Sequence, residues 1–138
     1  MLFRSDSVKD VYPVAMAAGE TIAAHVGEGE WYELSTLERY LEISLDFLSR
    51  DGRSLIMDEG CRIDASAVID RSILWKRVEV GAGARVTESV LGDDVVVPPG
   101  AVIHRSVVVP AALVKCAERP EKASPGTIIG ENLVVPFG

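Results

Sequence analysis

Few side chains in this sequence could carry chemistry on their own. The chain has two histidines, His25 and His104, and histidine is the commonest general base near neutral pH. His104 is therefore a candidate base for a group-transfer reaction, with a solvated surface histidine as the alternative. The two cysteines, Cys61 and Cys116, have the spacing of neither a disulfide framework nor a metal knuckle. A zinc site of three histidines needs one more than the chain has.

A second stretch of interest is WYELSTLERYL, from Trp31 to Leu41. It places Glu33 between a predicted extended segment and the start of a predicted helix. The residue types alone make Glu33 a surface residue beside the helix cap.

The composition of the chain limits the class of protein to which it can belong. The chain has 138 residues, of which 48% are hydrophobic, and this content predicts a folded domain. Its net charge of −7 argues against a nucleic-acid partner, whose phosphates attract basic patches. No apolar run is long enough to span a membrane, and the N-terminus lacks a signal-peptide pattern. We expect a cytoplasmic protein with reduced thiols and no membrane partner.

Residues 1–52 predict a small α/β segment. Pro13 and Gly19 mark the start and the end of a short helix. Two extended segments, residues 21–26 and 30–34, flank a Gly-Glu-Gly turn and predict a β-hairpin.

A longer helix is predicted after this hairpin. Ser35 and Glu38 have the spacing of a capping box, and Gly52 suits the left-handed turn that ends a helix. Leucines recur between them at helical spacing, at Leu37, Leu41, Leu45 and Leu48.

From Ile63 onward the hydrophobic residues recur with a much longer period. This period equals the separation in sequence between Ile63 and Val80. At this step large aliphatic residues form three columns: Ile63, Val80 and Val97; Ile69, Val86 and Ile103; Leu74, Leu91 and Val108. Small residues recur two positions before the second and third columns: Ala67, Ala84 and Ala101, then Ser72, Ser89 and Ser106. The three columns divide each repeat into six, five and six positions, which indicates hexapeptide units.

The columns predict a mainly β fold, a parallel β-helix in which three short strands close each triangular coil. We expect three full coils, each one repeat long, and a terminal strand from residues 127–135 that caps the solenoid. A fourth coil would begin at Val114, but the charged and proline-rich residues 119–126 interrupt it. The predicted domains are residues 1–52 and residues 53–138.

The sequence resembles the sugar-1-phosphate nucleotidyltransferases in two places. Their catalytic domain ends in a Trp-x-Asp-x-Gly-Thr-Pro-x-x-Tyr-Leu motif that leads into a helix, similar to the stretch from Trp31 to Leu41. In many members a left-handed β-helix of hexapeptides follows, and the resemblance implies that handedness here. It also implies that Glu33 stands where the family has its Mg²⁺-binding Asp, while Ser35 and Leu37 replace the family's Gly and Pro.

The family's Gly-x-Gly-Thr-Arg-Leu loop, which holds the nucleotide, has no counterpart in this sequence. The resemblance therefore implies the C-terminal region of such an enzyme, most similar to mannose-1-phosphate guanylyltransferases. The parent protein would use an NTP, a sugar-1-phosphate and Mg²⁺, and this chain alone is expected to be inactive. Two alternatives remain: a hexapeptide acyltransferase that uses His104 and an acyl-CoA, and a non-catalytic scaffold related to the nucleotidyltransferases.

The outward positions of the predicted solenoid are more apolar than a solvated surface requires. They include Trp75, Val90, Val96, Val102 and Val107. Parallel sheets usually have both faces covered, so we expect the preceding helix to bury some of these residues and a second subunit to bury others. The prediction is a homo-oligomer, most simply a dimer, with Trp75 and Val102 in its interface and a role in assembly or regulation.

Overall fold

A computed structural model of the chain describes residues 6–114 and 124–137. The chain divides into two compact units, Met1–Trp31 and Tyr32–Gly138, and each unit is considered by itself. The predicted domain boundary after residue 52 stays a prediction. In the part of the chain that the structure describes, no helix has the length and the apolar content that crossing a bilayer requires.

The first unit contains a π-helical turn, Ser7–Val11, that continues into helix α1, Tyr12–Ala17. The side chain of Asp6 caps the turn by accepting the backbone N–H groups of Val8 and Lys9. Pro13 lies in the first turn of α1, and Gly19 follows its end with a φ of +81°. The short helix predicted from Pro13 and Gly19 is confirmed.

The hairpin predicted for residues 21–34 is wrong, because residues 20–35 contain no strand. The local pattern offered alternating apolar residues, but an isolated hairpin needs burial against another element to be stable. Val26 and Trp31 are 93% and 82% exposed, so that burial is lacking.

The second unit begins with an irregular segment and then helix α2, Leu37–Arg50. The cap is Thr36 instead of Ser35: its backbone is extended, and its hydroxyl accepts the N–H of Arg39 over 3.1 Å. The predicted capping box was therefore placed one residue too early. Gly52 adopts a φ of +66° after the helix, as expected for the turn that ends it.

Short strands make up most of the rest of the described chain. They are β1 (Leu55–Met57), β2 (Arg62–Ile63), β3 (Val68–Asp70), β4 (Ser72–Leu74), β5 (Glu79–Val80), β6 (Arg85–Thr87), β7 (Val90–Leu91), β8 (Val96–Val97), β9 (Val102–His104), β10 (Ser106–Pro110), β11 (Thr127–Ile129) and β12 (Asn132–Pro136). They form three sheets: sheet A in the order β1-β4-β7-β10-β12-β11, sheet B in the order β2-β5-β8, and sheet C in the order β3-β6-β9.

The strands from β1 to β10 form a parallel β-solenoid of about three turns, which confirms the predicted β-helix. Neighbouring strands in each sheet pair in the register that the aliphatic columns predict, as in Ile63↔Val80 and Val86↔Ile103. The repeat begins one strand earlier than the sequence pattern indicated, because β1 pairs with β4 in the same register.

The aliphatic columns fill the interior. From Leu74 onward their members are at most 3% exposed: Leu74, Val80, Val86, Leu91, Val97, Ile103 and Val108. Each such side chain stabilises the fold by about 1.5–3 kcal/mol relative to an exposed one.

Two columns of non-glycine residues make corners with positive φ, a conformation that was not predicted. One column is Arg71, Glu88 and Arg105, with φ values of 45°, 48° and 41°. In the other, Gly60 is followed one coil later by Arg77 and then Asp94. Left-handed backbone costs about 1–2 kcal/mol in a non-glycine residue. The paired strands on both sides of each corner hold these residues in that conformation despite the cost.

Helix α2 covers the outer surface of sheet A. Its buried leucines, Leu41, Leu45 and Leu48, pack with the outward residues Val90 and Val107 of that sheet. This confirms that the helix buries some of the apolar outer residues. Val96 and Val102, on sheets B and C, are not covered in this way.

The end of the solenoid is closed by a hairpin, not by the single terminal strand that was predicted. Strand β12 pairs antiparallel with β10, and β11 pairs with β12. Val134 of β12 enters the core, and the buried side chain of Asn132 donates to the carbonyl of Val96 over 2.7 Å.

The segment where a fourth coil was expected begins differently. Ala111–Val114 form a 3₁₀ turn. Residues 119–123 of the predicted interruption, and Cys116, lie outside the described residues.

Candidate functional site

Glu33 lies in the irregular segment before α2, with an exposed side chain. The segment is attached to the helix next to it, because the Tyr32 and Phe47 rings are 5.0 Å apart between centroids. The guanidinium of Arg50 lies 5.9 Å from the centre of the Tyr32 ring. These contacts hold the backbone that carries Glu33 against the C-terminal half of α2.

A metal ion needs more donors than Glu33 offers. Among residues 6–114 and 124–137, no group of three or more His, Cys, Asp or Glu side chains could hold a metal ion. Mg²⁺ commonly uses one or two carboxylates and takes its other ligands from water and substrate phosphates. Glu33 fits the role of one such carboxylate, and its assignment as a ligand stays a prediction.

His104 is on the outer surface of sheet C and is exposed, as its place after inward Ile103 predicted. Its Nδ1 lies 2.9 Å from the hydroxyl of Thr87, one coil earlier in the same column. This hydrogen bond engages one of the two ring nitrogens of His104. Asp70 of β3 precedes Thr87 in the same column. Asp70, Thr87 and His104 therefore form a row of polar side chains on the outer surface of sheet C.

Trp75 and Val102, the two residues predicted for an interface, are 44% and 65% exposed. The structure does not bring them to one face. Trp75 follows β4 at the corner between sheets A and B, whereas Val102 is in β9 of sheet C. Sheet C also exposes Val68, two coils before Val102 in the same column. The exposed Arg85 lies between these two valines in the column, and Trp75 belongs to a separate corner.

Cys61 was expected to be a core residue, and it is half-buried against the core. Its Sγ donates to the carbonyl of Trp75 over 2.9 Å. The thiol therefore belongs to the corner that carries Trp75.

Charged side chains on the solenoid pair between adjacent coils. Lys76 binds Glu59 over 2.8 Å, and Arg62 binds Glu79. Glu88 lies between Arg71 and Arg105, at 2.6 and 3.4 Å. The signs alternate along these columns, so stacking the coils places opposite charges together.

Two carboxylates on the solenoid have a lowered pKa. Hydrogen bonds from the side chain and the backbone N–H of Ser66 lower the pKa of Asp64. The guanidinium of Arg77, one coil earlier than Asp94, lowers the pKa of that carboxylate by a two-pronged hydrogen bond of 2.6 and 2.9 Å. Both carboxylates are exposed on the surface.

Residues 51–108 match the family model described as GlmU-like, C-terminal hexapeptide. The chain is also similar to glucose-1-phosphate adenylyltransferases. The protein from Desulforamulus reducens is 24% identical, over 97% of this chain and 42% of its own length. Those from Bacillus thuringiensis (strain Al Hakam) and Bacillus mycoides are 28% identical, over 80% of this chain and 35% of theirs. No solved structure matches the chain significantly.

These similarities support a sugar-1-phosphate nucleotidyltransferase-like region that carries a hexapeptide β-helix. The chain spans less than half the length of these relatives. These relatives are adenylyltransferases, so the guanylyltransferase type expected from the sequence is not shown.

The serine column, predicted as small corner residues, also makes hydrogen bonds that the sequence pattern does not predict. Ser72, Ser89 and Ser106 are all buried, and each hydroxyl donates to the carbonyl two residues earlier. The hydroxyls of Ser72 and Ser89 also accept the backbone N–H of the next serine in the column. The signal was present in the sequence, because serine recurs at the same position of three successive repeats.

Proposed function

We propose that this chain is the C-terminal region of a sugar-1-phosphate nucleotidyltransferase, which makes a nucleotide sugar from an NTP and a sugar-1-phosphate. The observation that carries the proposal is the order of its parts. A Trp-x-Glu stretch leads into helix α2, and α2 packs directly on a hexapeptide solenoid. The relative from Desulforamulus reducens, which matches 97% of the chain, is an enzyme of this class.

In this proposal Glu33 is one carboxylate ligand of the Mg²⁺ that acts in the parent enzyme. Bound Mg²⁺ would neutralise the negative charge that develops on the NTP phosphates. The contact between Tyr32 and Phe47 would hold the backbone beside Glu33 in place. The longer glutamate side chain, where the family has aspartate, would place its carboxylate one methylene further out.

The solenoid would join subunits and position catalytic domains. Exposed Val68 and Val102 on sheet C form the apolar part of one contact, and Trp75 offers a second at its corner. The proposal is tested by Val102→Ser and Trp75→Ala in light scattering at micromolar protein. A smaller assembly supports the role, and an unchanged one removes these two residues from it.

For the sugar and the nucleotide, the relatives favour glucose-1-phosphate with ATP. The overall resemblance of the sequence to mannose-1-phosphate guanylyltransferases favours mannose-1-phosphate with GTP instead. The full-length protein should release pyrophosphate with one of these pairs and not the other. Glu33→Gln should lower turnover at saturating Mg²⁺, and Glu28→Gln, at an exposed acid a few positions earlier in the sequence, is the matched control. Equal turnover of the two variants would remove Glu33 from the metal site.

A further inference from the structure

Helix α2 is fixed to the solenoid by its leucine face. Three buried leucines pack against the outer side of sheet A: Leu41, Leu45 and Leu48. They are at most 6% exposed, so moving the helix away from the sheet would expose apolar surface to water. The helix is therefore a rigid support for the groups that its other faces hold.

A second face of the helix carries an aromatic ring and an arginine. Phe47 and Arg50 are separated by one turn and so lie on the same side of the helix. Phe47 is 46% exposed, because it is outside the leucine face. Nε of Arg50 lies 2.9 Å from a carboxylate oxygen of Asp46, also one turn away. An exposed ion pair of this kind adds little to stability, so its main consequence here is to orient the guanidinium.

The guanidinium of Arg50 lies close to two rings at once. Its carbon is 5.9 Å from the centre of the Tyr32 ring and 6.0 Å from the centre of the Phe47 ring. These distances are within the range of the attraction between a cation and an aromatic ring. The two rings are 5.0 Å apart and tilted by 57°, a favourable arrangement for an aromatic pair. Tyr32, Phe47 and Arg50 together are called the aromatic clamp below.

The aromatic clamp determines where the segment before the helix runs. The helix rises about 16 Å from its cap, Thr36, to Phe47. The chain from Thr36 back to Tyr32 can span at most about 14 Å. Its backbone alone cannot reach the level of Phe47, and the side chains of Tyr32 and Phe47 close the remaining gap. The segment therefore runs back along the helix, and Glu33 lies next to the end that the clamp anchors.

We infer that Phe47 and Arg50 are positioning residues for Glu33, through which the solenoid sets the place of this carboxylate and the Mg²⁺ concentration that the parent enzyme needs. The inference rests on the proposed function, in which Glu33 is a ligand of Mg²⁺. Without the clamp the segment loses its anchor beside Phe47, and the carboxylate samples more positions. A ligand that is not held in place binds its ion more weakly, because ordering the ligand then opposes binding.

Arg50→Ala in the full-length protein tests the inference, with Arg39→Ala as the matched control. Arg39 is on the same helix, is similarly exposed and pairs with Glu42 over 3.5 Å. Among the described residues only Arg50 lies over aromatic rings. Arg50→Ala should raise the Mg²⁺ concentration for half-maximal turnover by about tenfold, and Arg39→Ala should leave it unchanged.

The same titration separates positioning from ligation. Turnover of Arg50→Ala should recover at saturating Mg²⁺, whereas that of Glu33→Gln should stay low, because only the second variant lacks a ligand. If Arg50→Ala has the Mg²⁺ dependence of the unchanged protein while Glu33→Gln loses turnover, the positioning role is overturned and the proposed function stands.

Backbone dynamics of this chain give a readout that needs neither metal nor activity. The NMR order parameter of the Glu33 amide should be about 0.85 in the unchanged chain and in Arg39→Ala, and below about 0.6 in Arg50→Ala. Arg50→Lys keeps the positive charge but loses the planar guanidinium, so it should restore the order parameter only in part. Equal order parameters in the unchanged chain and in Arg50→Ala would overturn the clamp even if the full-length protein makes a nucleotide sugar. A lowered value in Arg50→Ala supports the clamp even if that reaction is absent, in which case the proposed function alone has failed.

Discussion

Ser89 donates its backbone N–H to the hydroxyl of Ser72 over 3.2 Å, one coil below it, although both side chains are fully buried. The Ser89 hydroxyl repeats the arrangement for Ser106, at 3.1 Å, and donates to the carbonyl of Thr87. Each hydroxyl thus satisfies a backbone donor that the corner would otherwise bury without a partner.

Ser89→Ala should lower the free energy of unfolding by about 1–3 kcal/mol, because it leaves the buried N–H of Ser106 without its acceptor. Chemical denaturation measures the loss. Ser54→Ala, at an exposed serine, is the control and should stay within about 0.5 kcal/mol of the unchanged chain. Equal stability of the two variants would contradict the role of the serine column.

Gly81→Ala should destabilise the second coil. An added Cβ at residue 81 would lie 2.7 Å from the backbone nitrogen of Pro99, so the backbone of the third coil would have to move. Such overpacking costs about 1–3 kcal/mol. Gly27→Ala, where a Cβ meets no atom within 4 Å, is the control and should change thermal unfolding little. A melting temperature unchanged by Gly81→Ala would mean that the coils tolerate a wider spacing.

Helix α2 should stabilise the solenoid through its leucine face. Leu48 is 1% exposed and packs in the cluster that includes Val90 and Val107 of sheet A. Leu48→Ala should therefore cost about 2–5 kcal/mol in urea unfolding, and Leu37→Ala, at a residue 46% exposed, much less. A small effect at Leu48 would indicate that α2 is not an integral part of the second unit.

Acid should weaken the corner that joins Arg77 to Asp94. Arg77 lowers the pKa of Asp94 in the folded chain, so the unfolded chain binds this proton more readily. The stabilisation is complete above the unfolded pKa of about 3.9 and is lost as the pH falls through the lower folded value. Asp94→Asn should make unfolding less dependent on pH in that range, as measured by melting temperature against pH. An unchanged pH profile would show that the ion pair adds nothing to stability.

The sequence predicted the solenoid because its core columns repeat with the register of the coils. Ile63, Val80 and Val97 are stacked by strand pairing, so the sequence period and the structural period are the same. The pattern of residues 21–34 alone could not decide whether a hairpin forms. A strand is stable only when other residues bury its apolar face, and Val26 is almost fully exposed. Thr36 caps helix α2 instead of the predicted Ser35. The sequence pattern locates the start of the helix only to within one residue, and the backbone conformation then decides which hydroxyl makes the capping hydrogen bond.

The candidate site was less predictable than the fold. The exposure of His104 followed from its place beside an inward residue, but its contact with Thr87 depends on which residues share a column. A role for Glu33 depends on groups that the described residues do not supply.

The most direct test is the synthesis of a nucleotide sugar by the full-length protein that carries this region. Purified protein is incubated with Mg²⁺ and either ATP with glucose-1-phosphate or GTP with mannose-1-phosphate, and the nucleotide sugar and pyrophosphate are quantified together. The account predicts that both products form in equal amounts with one pair and that Glu33→Gln reduces both. If neither pair, nor any other combination of an NTP with a sugar-1-phosphate, gives a nucleotide sugar, the proposed nucleotidyltransferase function is contradicted.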